Sequence, residues 1–496
     1  MRALLCVLLV VGCTDDKYLV VTVNARPAVQ GASSLVVTLA NAGTSRMDTF
    51  PLGGHAFPVT FTVSAPGRTG DLDINVEAQT SDMLDVGVGS GAAKIGDSEA
   101  SVMLDTADFV VNTDYAMDQF LAQDYEANGL QLGATSDGHW TVGFRDSCNA
   151  GACTIFGRSF DQNGAPVSTA AAAGTNAFAF SSTLTTQGAM PAVAASGNNF
   201  LAFWDYTDTA GSGHGVACRS IDPAGNLSAG ELSVSSDEAD VVTAAQLSNG
   251  NVAVTWQIYT PSSAVRSVIV KPDCTPLGNV ASVSTTVGTI DGPHRSHVAA
   301  NGPTVMYTFL QDGDVHIRTG NNTTITGNDT TLIMHTASYE AESVRIAPMG
   351  SGFVLAVRWA NPAGSGAGKI ELFQVSTTGT LVGSAQLVTD QSLSDFSSGD
   401  QSFGLATNAQ GLTLVAWHIC DSNGTTCDVF GRIAHADATM PDPVFMLPTT
   451  TDGDQKDPAV VGLPTGFAVA WDDTSHKAPD TQGSAVRARI FYPPGM

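Results

Sequence analysis

One motif returns along this chain often enough to dictate its fold. Residues 457–491, DPAVVGLPTGFAVAWDDTSHKAPDTQGSAVRARIF, read as a short strand, a turn, an apolar strand closing on Trp471, a polar loop and a third strand. The same inner and second strands recur at 129–144, 191–204, 243–256, 297–309, 344–357 and 403–417, where the second strand closes on Phe144, Trp204, Trp256, Phe309, Val357 and Trp417. A strand-only unit repeating at roughly 55 residues belongs to propellers rather than to helical solenoids, and the copies predict seven blades, the fourth the most degenerate. A closing aromatic that returns at the blade period is blade packing before it is a ligand platform.

The third strand of a copy runs into a D-x-x-G turn, as at Asp161 to Gly164 and Asp222 to Gly225. Aspartate at the first turn position accepts backbone hydrogen bonds, and glycine takes the positive φ that closes the hairpin. These turns lack the flanking Ser and the aromatic after Gly of the sialidase Asp-box, so sialidase chemistry does not carry over. What the P-x-V-A-x-L-x-x-G-x-x-V-x-W pattern resembles is the repeat of bacterial secreted and lipoprotein β-propellers, over about three quarters of the chain. That resemblance implies the fold and is nearly silent on function. The seventh copy stops at Phe491, short of a fourth strand, and residues 119–124 (QFLAQD) are expected to supply it and close the ring. The propeller is thus predicted over 119–496, after a linker at 113–118.

The chain opens MRALLCVLLVVGCTDD: one positive charge at Arg2, an apolar run too short to span a bilayer, then Val10, Val11, Gly12 and Cys13. These residues resemble the bacterial lipoprotein signal, which implies cleavage after residue 12, acylation of Cys13 and a tether in the cell envelope, the outer membrane or cell surface ahead of the inner membrane. The alternative is an ordinary signal peptide with an incidental Cys13. Between 13 and 112 short alternating strands, such as YLVVTV at 18–23 and SLVVTL at 34–39, predict an immunoglobulin-like β-sandwich in architecture, without a Cys, Trp, Cys core. Its plainest role is a stalk. The whole reads as all-β.

Charge narrows the partners. Lys and Arg number 21 against 47 Asp and Glu, a net charge of −26. That excludes the nucleic-acid backbone and anionic lipid surfaces, and favours a cation or a basic partner. Loops joining strands two and three, and links from strand four to the next blade, emerge on one propeller face. Asp146, Asp205, Asp208, Asp421, Asp472 and Asp473 fall in the first set; Asp237, Glu238, Asp240, Asp395, Asp400, Asp452, Asp454 and Asp457 in the second. Solvation of an acidic surface explains them; calcium held by Asp452, Asp454 and Asp457 is the sharper reading of their D-x-D-x-x-D spacing.

Cysteine usage fits export. Cys148 with Cys153 and Cys420 with Cys427 each bound a short loop in the same place of copies one and six, which predicts local disulfides. Cys218 and Cys274 lie in neighbouring copies and allow an inter-blade bridge. His139 and His418 each flank a Trp and read as structural, and H-E-x-x-H, G-x-S-x-G and P-loop motifs are missing. Inner strands such as PAVA at 191–194 offer no converging acid and base. The sequence therefore favours a binding or scaffolding module for a protein, glycan or cation, with a glycan hydrolase or lyase as the alternative.

Overall fold

The computed structural model describes residues 18–111, 119–120, 132–146, 154–167, 177–182, 184–185, 191–208, 214–228, 230–258, 263–285, 290, 296–360, 368–389, 403–421 and 426–493. Every regular element among them is a strand, and they divide between two compact units. Cys13, the signal segment, and Cys148 with Cys153 lie outside the described residues.

The N-terminal unit contains β1 (Tyr18–Ala25), β2 (Ser34–Asn41), β3 (Thr44–Pro51), β4 (Val59–Ser64), β5 (Asp71–Gln79), β6 (Asp85–Lys94) and β7 (Glu99–Thr106). Alternation is clean: Leu19, Val21 and Val23 are buried while Tyr18 and Val20 are exposed. Val21, Val23, Ile74, Val76, Val102 and Leu104 form a single core. The strands bond in the order β3-β2-β5-β6-β7-β1-β4, one ladder curled into a half-barrel. The immunoglobulin-like sandwich expected for 13–112 is therefore not confirmed. The reason lies in β7, whose residues 99–104 run parallel to β1 while Asp105 and Thr106 pair with Val88 and Gly87 of β6. Gly89 and Gly91 permit that approach, since a Cβ on them would lie 2.3 Å from the Met103 carbonyl oxygen and 3.0 Å from that of Ser101.

The second unit is the propeller. Blade 3 shows the pattern: an inner strand Ala239–Gln246, a second strand Val252–Ile258, a third strand Ala264–Val270 and an outer strand Ala281–Ser282, antiparallel throughout. Seven such sheets follow one another, each inner strand adjoins the next, and the first adjoins the last. Blade 4, degenerate in sequence, is as regular as the rest, with strands Ser296–Asn301, Thr304–Gln311, Asp314–Asn321 and Thr330–Ile333.

The second strand of blade 3 is buried along its whole length because a neighbouring blade covers each face. In blade 3, Val252, Val254, Trp256 and Ile258 pack on Leu201, Phe203 and Val216 of blade 2, whereas Ala253 packs with Val298, Val305 and Tyr307 of blade 4. The closing aromatics Trp204, Trp256 and Trp471 have no exposed surface, and truncating such a side chain to Ala costs about 3–5 kcal/mol.

Closure differs from the sequence expectation. The outer strand of blade 7 is β8 (Phe109–Val110), bonded to Ala485–Phe491, and the Val111 N–H donates to the Val486 carbonyl at 2.7 Å. Within the 119–124 segment, Gln119–Phe120 pairs instead with Asp146 and Arg145 of blade 1. An N-terminal strand does close the ring, but it comes from before the predicted linker.

Candidate functional site

The end of the propeller that carries the loops between strands two and three holds a layer of buried polar side chains. It is set by one register position, the residue after the closing residue of each second strand, an aromatic in six blades and Val357 in blade 5. There stand Arg145, Asp205, Gln257, Leu310, Arg358, His418 and Asp472. The first six face Ile155, Val216, Val265, Val315, Ile370 and Val429 across the ladder to the third strand, which establishes their equivalence. Six of the seven are polar, and all are buried except Asp205, which is half-buried. Strand alternation explains the layer: the aromatic faces the preceding blade, so the next residue faces the following one.

In blades 5 to 7 the layer and its neighbours form local pairs and clusters. Arg358 Nη2 lies 3.3 Å from Glu342 Oε2. His418 Nδ1 accepts the Asp457 N–H at 3.2 Å and lies 3.9 Å from Asp457 Oδ1. Burial, followed by the nearby positive charges of Arg358 and Lys456, pulls the His418 pKa down to about 3, so the ring is a neutral acceptor. That bond steadies Asp457 in the left-handed region, at φ 52°, where the inner strand of blade 7 shifts register. Asp473, 1% exposed, accepts hydrogen bonds from Gln455 Nε2 at 3.1 Å, Ser475 Oγ at 2.5 Å and Arg487 Nε at 2.9 Å. Arg487 also donates to the Lys477 carbonyl at 3.0 Å, which ties the loop after the second strand to the third.

On the inner strands, Arg345 donates from Nη1 to Ser343 Oγ at 3.0 Å and to the Val344 carbonyl at 2.9 Å, with its guanidinium 5.2 Å from the Phe403 ring. Burial lowers its pKa to about 9, which leaves it charged at neutral pH. His297 of blade 4 is held well below the usual histidine range by burial and then by the Arg345 charge.

The aspartates singled out for calcium point to different partners. Asp452 pairs with Lys477 Nζ at 2.8 Å and its carbonyl accepts from Gln455. Asp454 Oδ1 accepts the Cys427 N–H at 3.1 Å and Oδ2 pairs with Lys456 at 3.0 Å. Asp457 is the residue held by His418. Among the described residues no group of three or more His, Cys, Asp or Glu side chains is gathered as metal donors. Asp428 has its pKa raised by burial and then by Asp454. Of the other acidic loop residues, Asp237 accepts from Trp256 Nε1 at 3.2 Å, while Asp395 and Asp400 lie outside the described residues.

Among the described residues, two disulfides brace the blades. Cys218–Cys274, with Cα atoms 5.7 Å apart, staples the third strand of blade 2 to the turn after the third strand of blade 3. Cys274 takes the turn position that Gly164 and Gly225 fill elsewhere, at φ 67°. Cys420–Cys427 joins directly paired residues of blade 6.

With seven sheets of four or five strands, a ring of inner strands and an N-terminal closing strand in view, the architecture is decided. The chain is a seven-bladed propeller behind a curled β-sheet unit. The propeller domain of the trilobed protease from Pyrococcus furiosus is similar at 8% identity and a TM-score of 0.42, covering 74% of this chain and 94% of that one. An ulvan lyase bound to its saccharide is similar at 10% identity and a TM-score of 0.46, covering 76% and 95%. The Aleuria aurantia lectin in complex with α-methyl-L-fucoside is similar at 12% identity and a TM-score of 0.37, covering 64% and 94%. These likenesses concern the fold. No protein-family model matches the chain, and no curated protein matches it.

The polar layer is what a reading of the sequence misses. Inner strands of Ala and Val hide it, but its signal is present: a polar residue directly after the closing residue of the second strand in six of the seven copies.

Proposed function

We propose that this protein is a bacterial cell-envelope lipoprotein, tethered through Cys13, whose propeller is a binding or scaffolding module for a protein or glycan ligand. The sheet unit then serves as a spacer above the membrane. One observation carries the choice of binding over catalysis: the buried ionisable groups at the loop-bearing end are engaged with one another. Asp473 is held by three donors, Glu342 by Arg358, and His418 is neutral and accepts a backbone N–H. General acid and base work on a glycosidic bond needs two carboxyls free to exchange protons across a substrate, and these groups are fixed in the scaffold instead.

The test uses the intact protein on a panel of extracellular polysaccharides and oligosaccharides, measuring retention and reducing-end or unsaturated product together. Retention without product is expected of a binding module. Product formation that is lost on substituting residues of the polar layer would move the assignment to a propeller hydrolase or lyase.

A further inference from the structure

The seam between blades 3 and 4 buries polar side chains that no other described residue satisfies. Thr243 and Gln257 have no exposed surface and Ser296 has 1%. Among the described residues, Thr243 Oγ1, Ser296 Oγ and both amide atoms of Gln257 have no hydrogen-bond partner. Nearby hydroxyls show the ordinary solution: Thr255 Oγ1 donates to the Arg266 carbonyl at 2.6 Å and Ser267 Oγ to the Val254 carbonyl at 2.7 Å.

Alternation brings the three side chains to one seam. On the strands of blade 3, Val242, Ala244, Val254 and Trp256 pack toward blade 2, whereas Leu247 and Ala253 pack toward blade 4. Thr243 and Gln257 share the parity of Leu247 and Ala253 and so face blade 4. Ser296 shares the parity of Val298, which packs in the core common to blades 3 and 4, and so faces blade 3. The inner strand of blade 4 adjoins both the inner and second strands of blade 3.

We propose that this seam is a binding site for small neutral hydroxyl groups, those of water or of a polyol or sugar, held by Gln257, Thr243 and Ser296. The donor set defines the guest. A glutamine amide offers donors and an acceptor, and each hydroxyl can do either, so a matching guest must also donate and accept within one or two atoms. All three side chains are uncharged, so they match a neutral guest better than a carboxylate, phosphate or metal cation. An oxygen bearing a proton meets these conditions, and a buried water typically makes about three hydrogen bonds. The site stands whether or not the propeller binds glycans.

Thermal unfolding of the full chain tests it through the sign of the shift. With a guest in place, Gln257→Leu, Thr243→Val and Ser296→Ala each remove one partner and leave the others unmet, so each lowers Tm, by about 1–4 °C. In a dry seam the same changes delete an unmet polar group. A Tm equal to or above that of the parent in both Gln257→Leu and Thr243→Val therefore overturns the proposal. Should Gln257→Leu fail to fold, Thr243→Val decides alone, since it exchanges one oxygen for a methyl. Saturation-transfer NMR with glycerol, glucose and galactose separates the two sources. A signal lost in Thr243→Val assigns a polyol or sugar; a lowered Tm without such a signal assigns water.

Discussion

Asp473 is the residue whose loss has the most calculable effect. Its carboxylate is 1% exposed and receives three donors, among them the buried guanidinium of Arg487. Asp473→Ala would leave Arg487 charged inside the blade, and breaking a buried pair from one side costs about 3–5 kcal/mol. Unfolding entropy near Tm is about 2.1 cal/mol/K per residue, or ~0.8 kcal/mol/K over a propeller of roughly 380 residues, so Tm should fall by about 4–6 °C. The double change Asp473→Leu with Arg487→Met removes both charges and should recover most of that loss, because well-packed apolar replacements of buried ion pairs are often neutral. Scanning calorimetry on the three proteins reads this directly. A fall under about 1 °C for Asp473→Ala, or a double variant no better than the single, would refute the reading of this pair as the clamp between the second and third strands.

A propeller begun at Asp108 keeps Phe109 and Val110, whereas one begun at Thr113 loses them; the second should melt several degrees lower, and equal melting would remove β8 from closure. Labelled fatty acid should enter through Cys13 and be lost in Cys13→Ser, and label persisting in that variant refutes the lipoprotein proposal. For His418 the folded pKa of about 3 lies below the ordinary 6.5, so its contribution is complete above pH 6.5 and is lost as the pH falls toward 3. Over that window the unfolded chain binds the extra proton and stability declines at up to ~1.4 kcal/mol per pH unit. His418→Gln should flatten the acid limb relative to the parent, and superimposable Tm profiles from pH 7 to 4 would refute the assignment.

The ring of blades is legible in the sequence because its determinants are local: a strand that ends on an aromatic, a turn glycine, and a fixed period. The same locality makes Cys420–Cys427 readable, since its two residues sit opposite each other across one short loop. Closure is not readable in that way. β8 is two residues long, too short to show alternation, and its partner strand lies at the other end of the chain. The curling of the N-terminal sheet likewise rests on the parallel pairing of β1 with β7, between segments some 80 residues apart that carry no shared signature. For calcium, spacing does not report side-chain direction: Asp452 and Asp454 precede the inner strand while Asp457 sits at its register shift, and the three take different partners.

The N-terminal origin of β8 also fixes an order of events. A chain is made from its first residue onward, so Phe109 and Val110 emerge before any blade of the propeller exists, and their partner strand Ala485–Phe491 emerges after the other six blades. Six blades can form from neighbouring segments while the closing strand stays unsatisfied, and the ring can seal only once Ala485–Phe491 has been delivered. An interrupted or C-terminally clipped chain would then display two raw strand edges at once, marking every incomplete copy for removal.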